Sequence, residues 1–88
     1  MPMENPRVAF VLVRAIGDVK TLMNALAKEK NIFNIYNVAG DIDLLVEVRN
    51  KSIEGLRDVL NRIRSTKNVI STTSYIVLVK RGQTRKRS

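Results

Sequence analysis

The chain has 88 residues, with 16 Lys and Arg against 8 Asp and Glu, and contains no Cys and no His. That length fits one small domain with a thin core, and the missing Cys excludes disulfides, thiolate metal sites and Cys nucleophiles. Without His the commonest zinc ligand and the commonest neutral-pH general base are also missing, so composition points to a binding or assembly module and not to an enzyme.

In chain order, residues 8 to 13 form a continuous apolar run rich in branched side chains, short enough for a buried strand. Gly17 and Asp18 follow, then Val19, Leu22, Met23, Leu26 and Ala27 at helical spacing, with Asp18 as N-cap and Lys28 and Lys30 at the far end. Residues 32 to 39 read as a strand with Ile32, Tyr36 and Val38 on one face and Phe33 and Ile35 on the other. Gly40-Asp41 is a turn signal. Residues 42 to 49 alternate, with Ile42, Leu44, Val46 and Val48 set against Asp43, Glu47 and Arg49. Ser52 then caps a helix carrying Ile53, Leu56, Val59, Leu60 and Ile63, with Gly55 inside it at a cost of about 1 kcal/mol relative to Ala. Residues 69 to 79 complete the pattern as a long strand, apolar on both faces toward its end.

This order, β-α-β-β-α-β, predicts an α+β, ferredoxin-like domain: a four-stranded antiparallel sheet with both helices on one face and the first and third strands central. One sheet face is then left uncovered. In the first strand Val8, Phe10 and Leu12 oppose Ala9, Val11 and Val13; in the last, Ile76 and Leu78 oppose Tyr75, Val77 and Val79. A strand wetted on one side alternates apolar with polar, and these do not, which predicts an apolar interface. We expect a homodimer packed sheet to sheet, with Ala9, Val11, Val13, Tyr75, Val77 and Val79 in the interface.

The charge of +8 is unevenly spread. Lys80, Arg81, Arg85, Lys86 and Arg87 lie at the end with no acid among them; setting these five aside leaves eleven basic and eight acidic residues, a body charge near +3. The expected organisation is a lead over residues 1 to 6, a folded domain over 7 to 80 and a basic flexible tail over 81 to 88. Two readings of the tail stand side by side. Arg81, Arg85, Lys86 and Arg87 would hold phosphates weakly and without sequence preference, or would only keep an apolar-faced oligomer soluble. The opening residues carry no apolar leader and no run approaches a membrane span, so a cytoplasmic, membrane-free protein is expected. Asp41 and Asp43 without further ligands make no metal site, and no nucleophile or base stands near them, so neither a metal nor a cofactor is expected. The central strands lack the aromatic pairs that an RNA-reading sheet needs: Phe10 stands alone there.

Two segments carry a resemblance. Val38-Ala-Gly-Asp-Ile-Asp-Leu-Leu-Val-Glu-Val48 is similar to a Gly-x-aromatic-Asp turn leading into an apolar strand. Asn68-Val-Ile-Ser-Thr-Thr-Ser-Tyr-Ile-Val-Leu78 is similar to a Gly-Val-x-x-Thr-x-Thr-x-Ile-Val-Leu approach to a last strand. Both resemble the C-terminal effector (RAM) domain of the leucine-responsive regulatory protein/AsnC family of transcription regulators, over about residues 7 to 80. Ile42 stands where the family has an aromatic, Asn68 where it has Gly, and Ser74 where it has the second Thr. Asn68 tolerates left-handed backbone as Gly does.

The resemblance implies a regulatory domain that binds an amino acid between dimers of an octamer or decamer, and it places Gly40, Asp41, Ile42, Asp43, Thr72 and Ser74 at that site. The residue chemistry agrees: Asp41 or Asp43 would accept from an ammonium, while backbone N–H groups around Gly40 and the Thr72 and Ser74 hydroxyls would donate to a carboxylate. Only six residues precede Arg7, which suggests an effector domain without its own helix-turn-helix, acting through assembly with partners such as full-length regulators of the family. Two other readings remain open: a basic protein that binds DNA or RNA nonspecifically, and an ACT-like amino-acid-binding domain pairing its sheets edge to edge.

Overall fold

The computed structural model describes residues 6–82. The elements are β1 (Arg7–Ala15), α1 (Val19–Leu26), β2 (Ile32–Asn37), β3 (Leu44–Asn50), α2 (Ile53–Arg64) and β4 (Val69–Ile76). The strands form one antiparallel sheet in the order β2-β3-β1-β4, with β1 and β3 central as expected. The molecule is the ferredoxin-like α+β fold read from the sequence.

Side-chain chemistry sets the element ends. Asp18 caps α1 by accepting from the Lys20 amide at 3.1 Å and from the Thr21 hydroxyl at 2.8 Å. The helix ends at Leu26, so Lys28 and Lys30 lie in the turn beyond it and not on its last turn. Ser52 caps α2 through the Gly55 amide at 3.0 Å, with Glu54 in the first turn and Arg62 and Arg64 in the last, matching the helix dipole at both ends. Gly55 is explained by close approach: a Cβ there would run into the Asn50 side chain, whose Oδ1 accepts from the Ser52 amide at 3.1 Å. Asn68, at φ 76°, adopts the left-handed backbone that the sequence allowed it, and its carbonyl accepts from the Ile16 amide.

The core lies between the sheet and the helices. Ala9, Val11 and Val13 of β1 and Leu44, Val46 and Val48 of β3 meet Leu22 and Leu26 of α1 and Leu56, Val59, Leu60 and Ile63 of α2. Fully burying each of the larger side chains contributes about 1.5–3 kcal/mol.

Three expectations are corrected here. Ala9, Val11 and Val13 are wholly buried inside the subunit, so they are unavailable to a second copy; the uncovered side of β1 is Val8, Phe10 and Leu12. In β2, Ile32 pairs with Val48 and Asn34 with Glu47, which leaves Phe33 as an extra, bulged residue. The bulge shifts the alternation, so Ile32 and Ile35 both pack against the core while Tyr36 and Phe33 are exposed. Finally, β4 stops at Ile76, opposite Ala9, although β1 itself starts two residues earlier at Arg7. The Val77 amide still donates to Val8 near the start of β1, but Leu78 and Val79 are 89% and 83% exposed.

Candidate functional site

Four of the six predicted effector residues, Gly40, Asp41, Ile42 and Asp43, lie together in the β2–β3 loop, and Asp43 organises that end of the sheet. Its amide donates to the Val13 carbonyl at 2.9 Å. Its carbonyl accepts from the Val38 amide at 3.0 Å and from the Asn37 side-chain amide at 2.8 Å. Its carboxylate accepts from the Ala15 amide at 2.8 Å. Asp43 thus ties β1 to the β2–β3 loop with every polar group it has, and its carboxylate is already in use. The loop between these ties is longer than the tight turn that the sequence suggested, since β2 ends at Asn37 and β3 begins at Leu44.

Gly40 sits within it at φ 142°, a backbone that L side chains rarely adopt, with open space where a Cβ would stand. Asp41 beside it is exposed and takes part in no hydrogen bond or ion pair among the described residues. Ile42 is half-buried. Thr72 and Ser74 lie on β4, opposite Val13 and Val11 and hence on the helix side of the sheet; Thr72 is half-buried and Ser74 exposed. β1 runs between Asp43 and Thr72, so the two are separated by two strand spacings, about 9–10 Å. The structure therefore brings Gly40, Asp41, Ile42 and Asp43 together and leaves Thr72 and Ser74 across the sheet from them.

The uncovered sheet face holds what the sequence reading assigned to the wrong side of β1. Leu12 lies opposite Leu45 and Thr73, and Phe10 opposite Glu47 and Tyr75. Tyr36 pairs with Leu45 at the β2 edge. Tyr75 and Val77 belong here as expected, Tyr75 being 56% exposed, whereas Val79 lies beyond the strand. β3 held the missing signal. Its core side, Leu44, Val46 and Val48, is unambiguous, and pairing it to β1 in register fixes which side of β1 is open.

One polar cluster interrupts this apolar face. Glu47 is buried, at 8% exposure, and accepts from the Asn34 side-chain amide at 2.9 Å and from Arg49 Nη2 at 2.9 Å and Nε at 3.1 Å. Arg49 in turn lies 3.6 Å above the centre of the bulged Phe33 ring. The Asn34 amide holds the Glu47 carboxyl below its usual range, assisted by the bonds and charge of Arg49 and the charge of Lys80, while burial pulls the other way. A depressed folded-state pKa stabilises the fold fully above the unfolded glutamate value of about 4.3, and that contribution is lost as the pH falls through the folded value. Glu47→Gln should therefore flatten the acid limb: urea midpoints measured from neutral pH down to pH 3 should fall less in the variant than in the parent.

Grooves lie at the β2 edge and over the start of β1, where it pairs with the end of β3. One of about 380 Å³ lies between α1 and β2 and is lined by Met23, Asn24, Ala27, Ile32, Phe33, Asn34 and Ile35. Another, of about 410 Å³, is lined by Pro6, Val8, Arg49, Leu78 and Lys80. Neither includes the predicted effector residues. Among the described residues no group of His, Cys, Asp and Glu is placed to hold a metal, and no helix is long and apolar enough to cross a membrane. Arg81 is exposed, and Arg85, Lys86 and Arg87 lie outside the described residues.

Comparison with known proteins agrees with both the fold and the sequence motifs. The family model of the Lrp/AsnC ligand binding domain matches residues 8–87. The transcriptional regulator LysM of Saccharolobus solfataricus is 32% identical over 86% of this chain and 55% of its own length. The regulator FL11 of Pyrococcus horikoshii is 36% identical over 81% of this chain and 48% of its own. The chain thus spans about half the length of these curated relatives. Among solved structures, TTHA0845 from Thermus thermophilus superposes with a TM-score of 0.81 at 33% identity, covering 88% of this chain and 99% of that one. A feast or famine regulatory protein from M. tuberculosis, complexed with L-methionine, superposes with a TM-score of 0.72 at 31% identity, over 92% of this chain and 56% of that one. With its βαββαβ sheet, its Gly40–Asp43 loop and a family match over nearly its whole length, this chain belongs to the Lrp/AsnC ligand-binding domain family, whose members are regulator domains and not enzymes.

Proposed function

We propose that this protein is an oligomeric amino-acid-sensing regulatory domain, in which two copies pack sheet face against sheet face and the effector binds at the Gly40–Asp43 loop where copies meet. The observation that carries this reading is the family match across residues 8–87, together with a relative of 31% identity whose structure holds L-methionine. In this reading the residues divide the labour. Asp41, exposed and uncommitted, accepts from the effector ammonium; loop amides made accessible by Gly40 donate to its carboxylate. Thr72 and Ser74 stand too far across β1 to close on the same small molecule, so a neighbouring copy presents its own pair to complete the site. The face of Val8, Phe10, Leu12, Leu45 and Tyr75 forms the dimer, and dimers join into an octamer or decamer. The same face would admit full-length regulators of the family into mixed assemblies.

A thermal-shift screen of the twenty amino acids, with mass by light scattering, tests the reading. One or a few should raise the melting temperature saturably, since a ligand at a hundred times its Kd adds about 2.7 kcal/mol of stability, and should change the assembly. A flat response to all of them overturns it.

A further inference from the structure

The charge of the folded part is sorted by layer. The helices with their flanking turns, residues 18–31 and 51–67, carry eight basic residues against four acidic ones. The strands and the loop joining β2 to β3 carry three of each, Arg7, Arg14 and Arg49 against Asp41, Asp43 and Glu47, and Lys80 and Arg81 stand apart in the segment after β4. All eight basic residues of the helical layer are exposed, and only Arg62 is ion-paired among the described residues, to Glu29 at 2.9 Å. Asp18 spends its carboxylate on capping α1, so Glu54 and Asp58 are the acids left to oppose the other seven.

We propose that the helical layer is a docking surface for duplex nucleic acid, gripped through its phosphates without reading sequence. Arg57 and Arg64, seven residues apart, lie along one flank of the exposed face of α2, with Asn61 between them and Glu54 and Asp58 beside it, and Lys67 follows in the next turn. Arginine on a regular helix face suits rows of phosphate oxygens, and a one-sided positive field raises the rate of encounter with a polyanion. Solubility alone needs net charge but gives no reason to gather it on one layer. The exposed aromatic and large aliphatic side chains are Phe33, Tyr36, Ile70 and Tyr75 on the strands, Leu78 and Val79 after β4, and Ile16 in the turn between β1 and α1; none stands on either helix. Without them the helical layer has nothing to stack on unpaired bases or to insert into a lipid surface, which selects the duplex backbone as partner. Sheet-to-sheet pairing would turn this layer outward on both sides of a dimer and so repeat the surface, but a single subunit already displays it.

Fluorescence anisotropy with a labelled DNA duplex of arbitrary sequence, titrated at several salt concentrations, tests this on the full chain. Arg57→Gln, Arg64→Gln and Lys67→Gln together should weaken binding about tenfold or more at low salt and flatten the log–log salt dependence by about 2–3. Circular dichroism should show the variant folded with the parent's helix content, its melting temperature lowered only slightly by loss of the Arg64 charge at the end of α2, since all three positions are exposed. A chain ending at Gly82 should keep most of the affinity. Parent-like binding by the triple variant overturns the proposal, as does loss of binding with the tail alone, or binding to anionic vesicles but not to the duplex.

Discussion

Lysine at position 11 should leave no folded protein, whereas lysine at position 10, its immediate neighbour, should leave a folded monomer. Val11 is wholly buried and pairs with Val46 and Ser74 beneath the helices. A charge there has no partner, and removing it from water costs several kcal/mol. Domains have only about 5–15 kcal/mol of net stability, and one of this size sits toward the lower end. Phe10 points the other way, half-buried between Glu47 and Tyr75 on the open face. A lysine there reaches water without disturbing the core, so the fold survives with a lower melting temperature. Across a two-fold sheet-to-sheet interface the same substitution counts twice: it removes two aromatic anchors and sets two like charges in an apolar patch. Dimer dissociation should strengthen by about a thousandfold, taking roughly 2 kcal/mol per copy from the interface. Circular dichroism and sedimentation velocity read the two effects separately. A folded Val11→Lys protein would contradict the assignment of the two faces of β1; a dimeric Phe10→Lys protein would contradict the pairing.

That pair of residues also marks where sequence reasoning stopped. Element order, the central position of β1 and β3, the caps at Asp18 and Ser52 and the left-handed Asn68 all follow from local signals, because turn chemistry and periodicity act over a few residues. The facing of β1 does not. Both its sides are apolar, and the choice between them depends on register against β3, some 35 residues away, where a slip of one residue exchanges the faces. Phe33 is a similar case. An alternating pattern gives no notice of an extra residue, and the bulge is accounted for only by what it achieves: Ile32 and Ile35 both reach the core, and Phe33 is set beneath Arg49. Val77, Leu78 and Val79 have strand composition, but composition does not report pairing: beyond Ile76 the segment keeps a backbone bond from the Val77 amide to Val8, and Leu78 and Val79 are exposed.

Asp41 and Asp43 look interchangeable in sequence, but in the structure Asp43 is tied to β1 and the loop while Asp41 is exposed and unbonded among the described residues, and the proposed site uses the two differently. Asp43→Ala should lower stability by about 1–3 kcal/mol, because the half-buried Ala15 amide loses its acceptor at the end of β1. Asp43→Asn keeps an oxygen at that place and should recover most of the loss. The backbone ties from Asp43 to Val13, Val38 and Asn37 depend on the carboxylate holding β1 and the loop in register, so Asp43→Ala should weaken effector binding as well. Asp41→Asn should behave in the reverse way. It is exposed and makes no hydrogen bond or ion pair among the described residues, so chemical denaturation should be unchanged within about 0.5 kcal/mol. Its loss of charge should nevertheless weaken the binding of an amino-acid effector by about ten- to a hundredfold, the worth of a charge-assisted bond to an ammonium. Urea titrations and calorimetry on the three variants give both quantities. If Asp41→Asn binds the effector as the parent does while Asp43→Asn does not, the ammonium is held by Asp43, and the Ala15 amide must find another acceptor when ligand arrives.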